Sequence, residues 1–116
     1  MSNLAREYSD DERRQQLERL AGLSSAMSEA LSLHGESWPA SMFADRAELA
    51  NRLLRAGWDR EALTNLSAQF PACPDWLNPK AVDFGAPREP WQDEVAALHS
   101  RASRVALELR AVATYD

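Results

Sequence analysis

The sequence predicts an all-α fold: a four-helix bundle-like domain in which an ordered crossover, rich in proline and aromatic residues, joins the third helix to the fourth. Three observations predict it. Apolar residues recur at steps of three and four along both ends of the chain, the spacing of a single helix face. Helix start and stop signals punctuate those periodic stretches. Five of the six prolines lie between Phe70 and Trp91. No continuous helix can run there, because proline fixes φ, lacks an N–H and drives the preceding residue out of the helical region. A chain of 116 residues is expected to form a single helical domain over 1–116, burying about 65% of its unfolded surface.

Residues 1–8 carry no periodic pattern and are expected to fray. The first helix is expected over about 10–33. Ser9 and Glu12 fit a capping box, and Asp10, Asp11 and Glu12 suit the positive end of a helix dipole. Leu17, Leu20, Ser24, Met27 and Leu31 form one face, widened by Leu23 and Ala30, with Ser24 as its weak point. His34-Gly35 closes the helix, glycine supplying the left-handed cap. A second helix is expected to start near Pro39 or Ser41. Its stripe is Phe43, Ala47, Ala50 and Leu54, with Met42, Leu49 and Leu53 beside it, and Gly57 ends it. Asp59 is placed to cap a short third helix that buries Leu63, Leu66 and Phe70.

The crossover, 71–90, is too apolar to be a linker. Phe70, Trp76, Leu77, Val82, Phe84 and Trp91 fall in or beside it, and each large aromatic is worth roughly 1.5–3 kcal/mol if buried. It therefore reads as an ordered irregular insert laid over the helices, with Asn78-Pro79 starting one short turn. Pro90 opens the last helix. Trp91, Val95, Leu98, Ala102, Val105, Leu109 and Val112 alternate by four and three, so the helix should run about 24 residues, roughly 36 Å. Two long helices and two shorter ones on short connections imply a bundle.

Composition excludes some functions and favours none strongly. The net charge is −5, spread thinly, and there is no basic stripe, so nucleic acid is not an expected partner. No apolar run approaches membrane-spanning length, so no membrane association is expected. The N-terminus lacks the apolar core of a secretory signal and the single cysteine asks for no oxidising compartment, so a cytoplasmic location is expected. Twelve arginines against one lysine, with abundant alanine, fit a GC-rich bacterial genome.

No catalytic set is visible. Cys73 has no base at a diagnostic spacing; His34 and His99 are the only candidates, and the cysteine reads as a small apolar residue. No Cys-x-x-Cys, His-Glu-x-x-His or Glu-x-x-His motif suggests a metal, and no glycine-rich loop suggests a phosphate. No cofactor, no metal and no enzymatic activity are expected. His99 borders the seam of the last helix and is expected at its edge or facing solvent.

The expected function is therefore a small acidic, non-enzymatic protein-binding module, in concrete form an immunity- or antitoxin-like inhibitor of a basic partner protein. Asp75, Trp76, Asp83, Phe84, Glu89, Trp91 and Asp93 are the expected partner-binding residues, since they interleave aromatic anchors with carboxylates as a hot-spot surface does. Two alternatives remain open. One is a regulatory protein that binds a small molecule or peptide between insert and bundle. The other is a DNA-binding helix-turn-helix regulator built on the hairpin around Gly57, whose second helix offers only Arg60 against Asp59 and Glu61. The four tryptophans divide between core and interface, with core favoured because Trp residues beside Pro or Gly can cover helix ends. Oligomeric state is open, and a homodimer could use the seam of the last helix.

Overall fold

The computed structural model describes residues 5–68, 70–71, 89–111 and 113–115. Four helices carry the fold: α1 (Asp10–Leu33), α2 (Ser37–Ala56), α3 (Arg60–Ala68) and α4 (Pro90–Arg110). Two short strands, β1 (Ala5–Glu7) and β2 (Ala113–Tyr115), pair antiparallel with Ala5 opposite Tyr115. The helices contact one another in a ring: α1 packs on α2 and α4, and α3 packs on the same two. This is the all-α, bundle-like arrangement that the apolar periodicity predicts.

The local causes are those read from the sequence. Ser9 Oγ accepts from the Glu12 N–H at 3.1 Å, and the Ser9 N–H donates to Glu12 Oε1 at 2.9 Å, so the capping box starts α1. Gly35 takes φ of 80°, which lets the chain reverse into α2 within three residues. Gly57 does the same after α2 at φ of 98°. The Ala62 N–H donates to Asp59 Oδ1 at 2.8 Å, the expected cap of α3.

The core forms where these helices face one another. Leu17, Leu20, Met27 and Leu31 of α1 meet Phe43 and Ala50 of α2, Leu63 and Leu66 of α3, and Val95, Ala102, Val105 and Leu109 of α4. Trp91 and Leu98 close the α4 seam as partly buried members. Ser24 sits in the middle of the α1 face, fully buried, and its Oγ has no hydrogen-bond partner. The weak point of the pattern is thus a buried polar atom left unpaired.

Three features differ from expectation. Helix α2 begins at Ser37, so Trp38 and Pro39 lie in its first turn, where proline costs nothing because those N–H groups have no helical acceptor. Helix α4 has 21 residues and stops at Arg110, since the chain turns out to make β2. Residues 5–7, in the stretch expected to fray, are paired in that ribbon. Arg13 fastens this pole of the bundle. Its Nη1 donates to the Glu108 carbonyl at 2.8 Å and its Nη2 to the Ala111 carbonyl at 2.6 Å, satisfying carbonyls at the end of α4. The same guanidinium donates to Gln16 Oε1 and lies 4.5 Å from the centre of the Tyr8 ring. Burial pushes its pKa below the ordinary arginine value, with Tyr8 acting in the opposite direction. Val112 and the crossover residues 72–88, including the Asn78-Pro79 turn, lie outside the described residues.

Candidate partner-binding face

The pole opposite the ribbon brings three helix ends together. Helix α1 ends at Leu33 and is capped by His34, α2 starts at Ser37, and α4 starts at Pro90. Trp91 ties the start of α4 to the end of α1: its ring stacks on His34 at 4.1 Å with an interplanar angle of 3°, and its Nε1–H donates to Glu89 Oε2 at 2.9 Å. The Glu89 N–H in turn donates to Gln92 Oε1 at 2.8 Å, fixing the entry of α4. Trp91 therefore presents one aromatic face to His34 and an acidic edge through Glu89.

Around this joint the surface is unusually apolar. Leu33 is 83% exposed, Trp38 78% and Met42 36%. Trp38 and Met42 lie one turn apart on α2, on the same side of the helix. Glu36, Glu89 and Asp93 supply carboxylates at the same three helix ends. A monomeric surface seldom leaves a tryptophan this bare, and aromatic residues ringed by polar groups are the composition of an interface core.

Of the seven residues expected to bind a partner, Glu89, Trp91 and Asp93 belong to this pole, with Glu89 and Asp93 exposed and Trp91 half-buried. Asp75, Trp76, Asp83 and Phe84 lie outside the described residues. The sequence reading did not select Trp38, Leu33 and Met42, although the helix phase contained the signal. At about 100° per residue, Trp38 points roughly 140° away from Phe43, and Leu33 roughly 200° away from Leu31. Among the described tryptophans, Trp58 and Trp91 pack against the core as favoured, whereas Trp38 does not.

At the ribbon pole a cleft of about 260 Å³ lies among Glu7, Tyr8, Asp10, Trp58 and Asp59. Its rings are already covered by the chain's own cations, Arg13 over Tyr8 at 4.5 Å and Arg14 over Trp58 at 5.4 Å. Arg60, the one arginine of α3, pairs with Glu7 at 3.8 Å. A recognition helix needs cations turned towards phosphates, and this one is turned towards a carboxylate. On α4, His99 Nε2 lies 2.9 Å from the Pro71 carbonyl, and its Nδ1 3.3 Å from Ser103 Oγ. A carbonyl can only accept, so Nε2 carries the proton and Nδ1 accepts from the serine. That polarises Ser103, but it sits mid-helix, where the backbone N–H groups are spent in the helix and offer nothing to an oxyanion. The ring also touches Phe43 and Phe70, at 5.8 and 5.6 Å between centres. His99 is the seam-edge residue expected, and it pins Phe70 and Pro71 against α4.

Among the described residues no group of three or more His, Cys, Asp or Glu side chains could hold a metal ion. No described helix is long and apolar enough to cross a membrane. No protein-family model, no curated protein and no solved structure matches this chain.

Proposed function

We propose that this chain is a small non-enzymatic protein-binding module that engages a basic partner through the pole where α1 ends and α2 and α4 begin. The observation that carries the reading is the exposure of Trp38, 78%, beside Leu33 and Met42. A tryptophan held on a helix is a low-entropy anchor for a partner's pocket, and burying it gains roughly 1.5–3 kcal/mol. Glu36, Glu89 and Asp93 form the rim, and they favour a partner that brings lysine or arginine. A net charge of −5 steers such a partner in. The concrete form is an inhibitor of the immunity or antitoxin kind, which blocks a basic site by occupying it.

The test is affinity capture with the full chain, followed by mass spectrometry, run in parallel with Trp38→Ala and Leu33→Ser. Both residues are exposed, so neither substitution should move the melting temperature. A stoichiometric basic protein retained by the parent and lost by both variants supports the reading. A partner retained equally by all three moves the contact elsewhere. An association rate that does not fall with added salt removes the electrostatic part, because exposed charges are screened beyond about 8–10 Å.

A further inference from the structure

The seam between α1 and α4 carries a second site of opposite sign. A groove of about 370 Å³ runs along it, lined by Arg19 and Leu23 from α1 and by Arg101, Arg104, Val105 and Glu108 from α4. The three arginines are exposed, and among the described residues none has an ion-pair partner. Elsewhere Arg13 is engaged on carbonyls, Arg14 over Trp58, Arg52 with Glu48 and Arg60 with Glu7, while Arg55 and Arg110 stand apart and line no part of this groove. Three unpaired guanidinium groups facing one groove stand out in a chain of net charge −5. Between them the floor is apolar, with Val105 only 5% exposed and Leu23 half-buried.

We propose that this groove binds a small organic anion: a carboxylate or phosphate head on an apolar body. Guanidinium groups present paired N–H donors that match the two oxygens of such a head, and they do so without losing charge at any ordinary pH. Arg101 and Arg104 stand one turn apart on α4 and Arg19 faces them from α1, so the head is approached from both walls. The apolar body lies on Leu23 and Val105. Glu108 bounds one end, held by Gln16 Nε2 at 3.4 Å, and repels an anion there, which sets the head towards Arg101 and Arg104. The volume falls in the range of small-ligand sites, about 300–1,000 Å³, and is too small for a folded partner. The site lies on the α1–α4 seam and its arginines repel a basic partner, so it is independent of the acidic pole.

The test is titration of the full chain with phenyl phosphate and with hexanoate, read on the arginine side-chain Nε–H signals by NMR. Inorganic phosphate and acetate serve as heads without a body. Saturable shifts at Arg19, Arg101 and Arg104 are expected with phenyl phosphate or hexanoate, roughly tenfold tighter than with the bare head. Pentyl phosphate, which carries the same alkyl body as hexanoate, identifies the head by whichever of those two binds tighter. Arg101→Gln with Arg104→Gln should weaken binding by roughly tenfold or more at unchanged melting temperature, because both side chains are exposed. Arg52→Gln, on α2, should leave it unchanged. Shifts that never saturate, equal response to bare phosphate and phenyl phosphate, or indifference to the double substitution would each overturn the proposal.

Discussion

Ser24→Ala should stabilise the protein. The Ser24 side chain is fully buried and its Oγ meets no donor or acceptor. Burying an unpaired hydroxyl costs about 1–3 kcal/mol. Alanine is the better helix former, by a few tenths of a kcal/mol. Against this stands the small hole left by one oxygen, which costs about 0.3 kcal/mol at the usual penalty per Å³ of cavity. The net gain is about 1–3 kcal/mol. With an unfolding entropy of roughly 2.1 cal/mol/K per residue, each kcal/mol raises the melting temperature of a domain this size by about 4 °C, so the expected rise is ~4–12 °C. Urea melts followed by circular dichroism should move to a higher midpoint at constant slope. Ser24→Thr keeps the hydroxyl, adds a methyl group to a filled core, and should not stabilise. A lower or unchanged midpoint for Ser24→Ala would mean that the hydroxyl is hydrogen-bonded in solution, and that Ser24 is a polar tie within the seam.

Two further stability predictions follow from the same core. Leu109 is 2% exposed and Leu98 only half-buried, so Leu109→Asp should cost roughly 4 kcal/mol or more and Leu98→Asp clearly less, by urea melts; equal small costs would misplace the α4 seam. Arg13→Lys keeps the charge but loses the fork that spans the Glu108 and Ala111 carbonyls, and should cost about 1–3 kcal/mol, with faster amide exchange in the β1–β2 ribbon; unchanged exchange there would mean that the ribbon does not depend on Arg13.

What could be read in the sequence was local. Helix α1 runs over the span its signals mark, because the capping box and Gly35 lie within three residues of its ends. The α4 seam follows a strict four-three step, and of it Val95, Ala102, Val105 and Leu109 are buried and Trp91 and Leu98 partly so. What could not be read depends on contacts between distant segments. A three-residue strand has no period to detect, and β1 and β2, which flank α1 and α4, are far apart in sequence. Arg13 looks like one charge among several in the first helix; only the packed fold shows that it caps the other end of the chain. The arginine groove is similar, since Arg19 meets Arg101 and Arg104 only across the helix seam. Trp38 is a different case. Its phase on α2 points away from Phe43, but its place beside Pro39 reads as a covered helix end, and the expectation for the tryptophans rests on that position instead of on angle. The remaining partner-binding expectations, at Asp75, Trp76, Asp83 and Phe84, fall outside the described residues.

The pairing of Ala5 with Tyr115 makes the path from residue 5 to residue 115 a loop that returns to its starting point. Such a path tolerates being opened elsewhere. A short bridge from residue 115 to residue 5, with new ends cut at the exposed His34–Gly35 turn, would keep the four helices in the same cyclic order around the same core. Cargo joined at residue 5 or residue 115 emerges beside the ribbon, a helix length away from Trp38. Cargo fused at the permuted ends emerges beside Trp38 itself and would obstruct that pole. The pair of fusions thus provides a geometric control that changes no side chain.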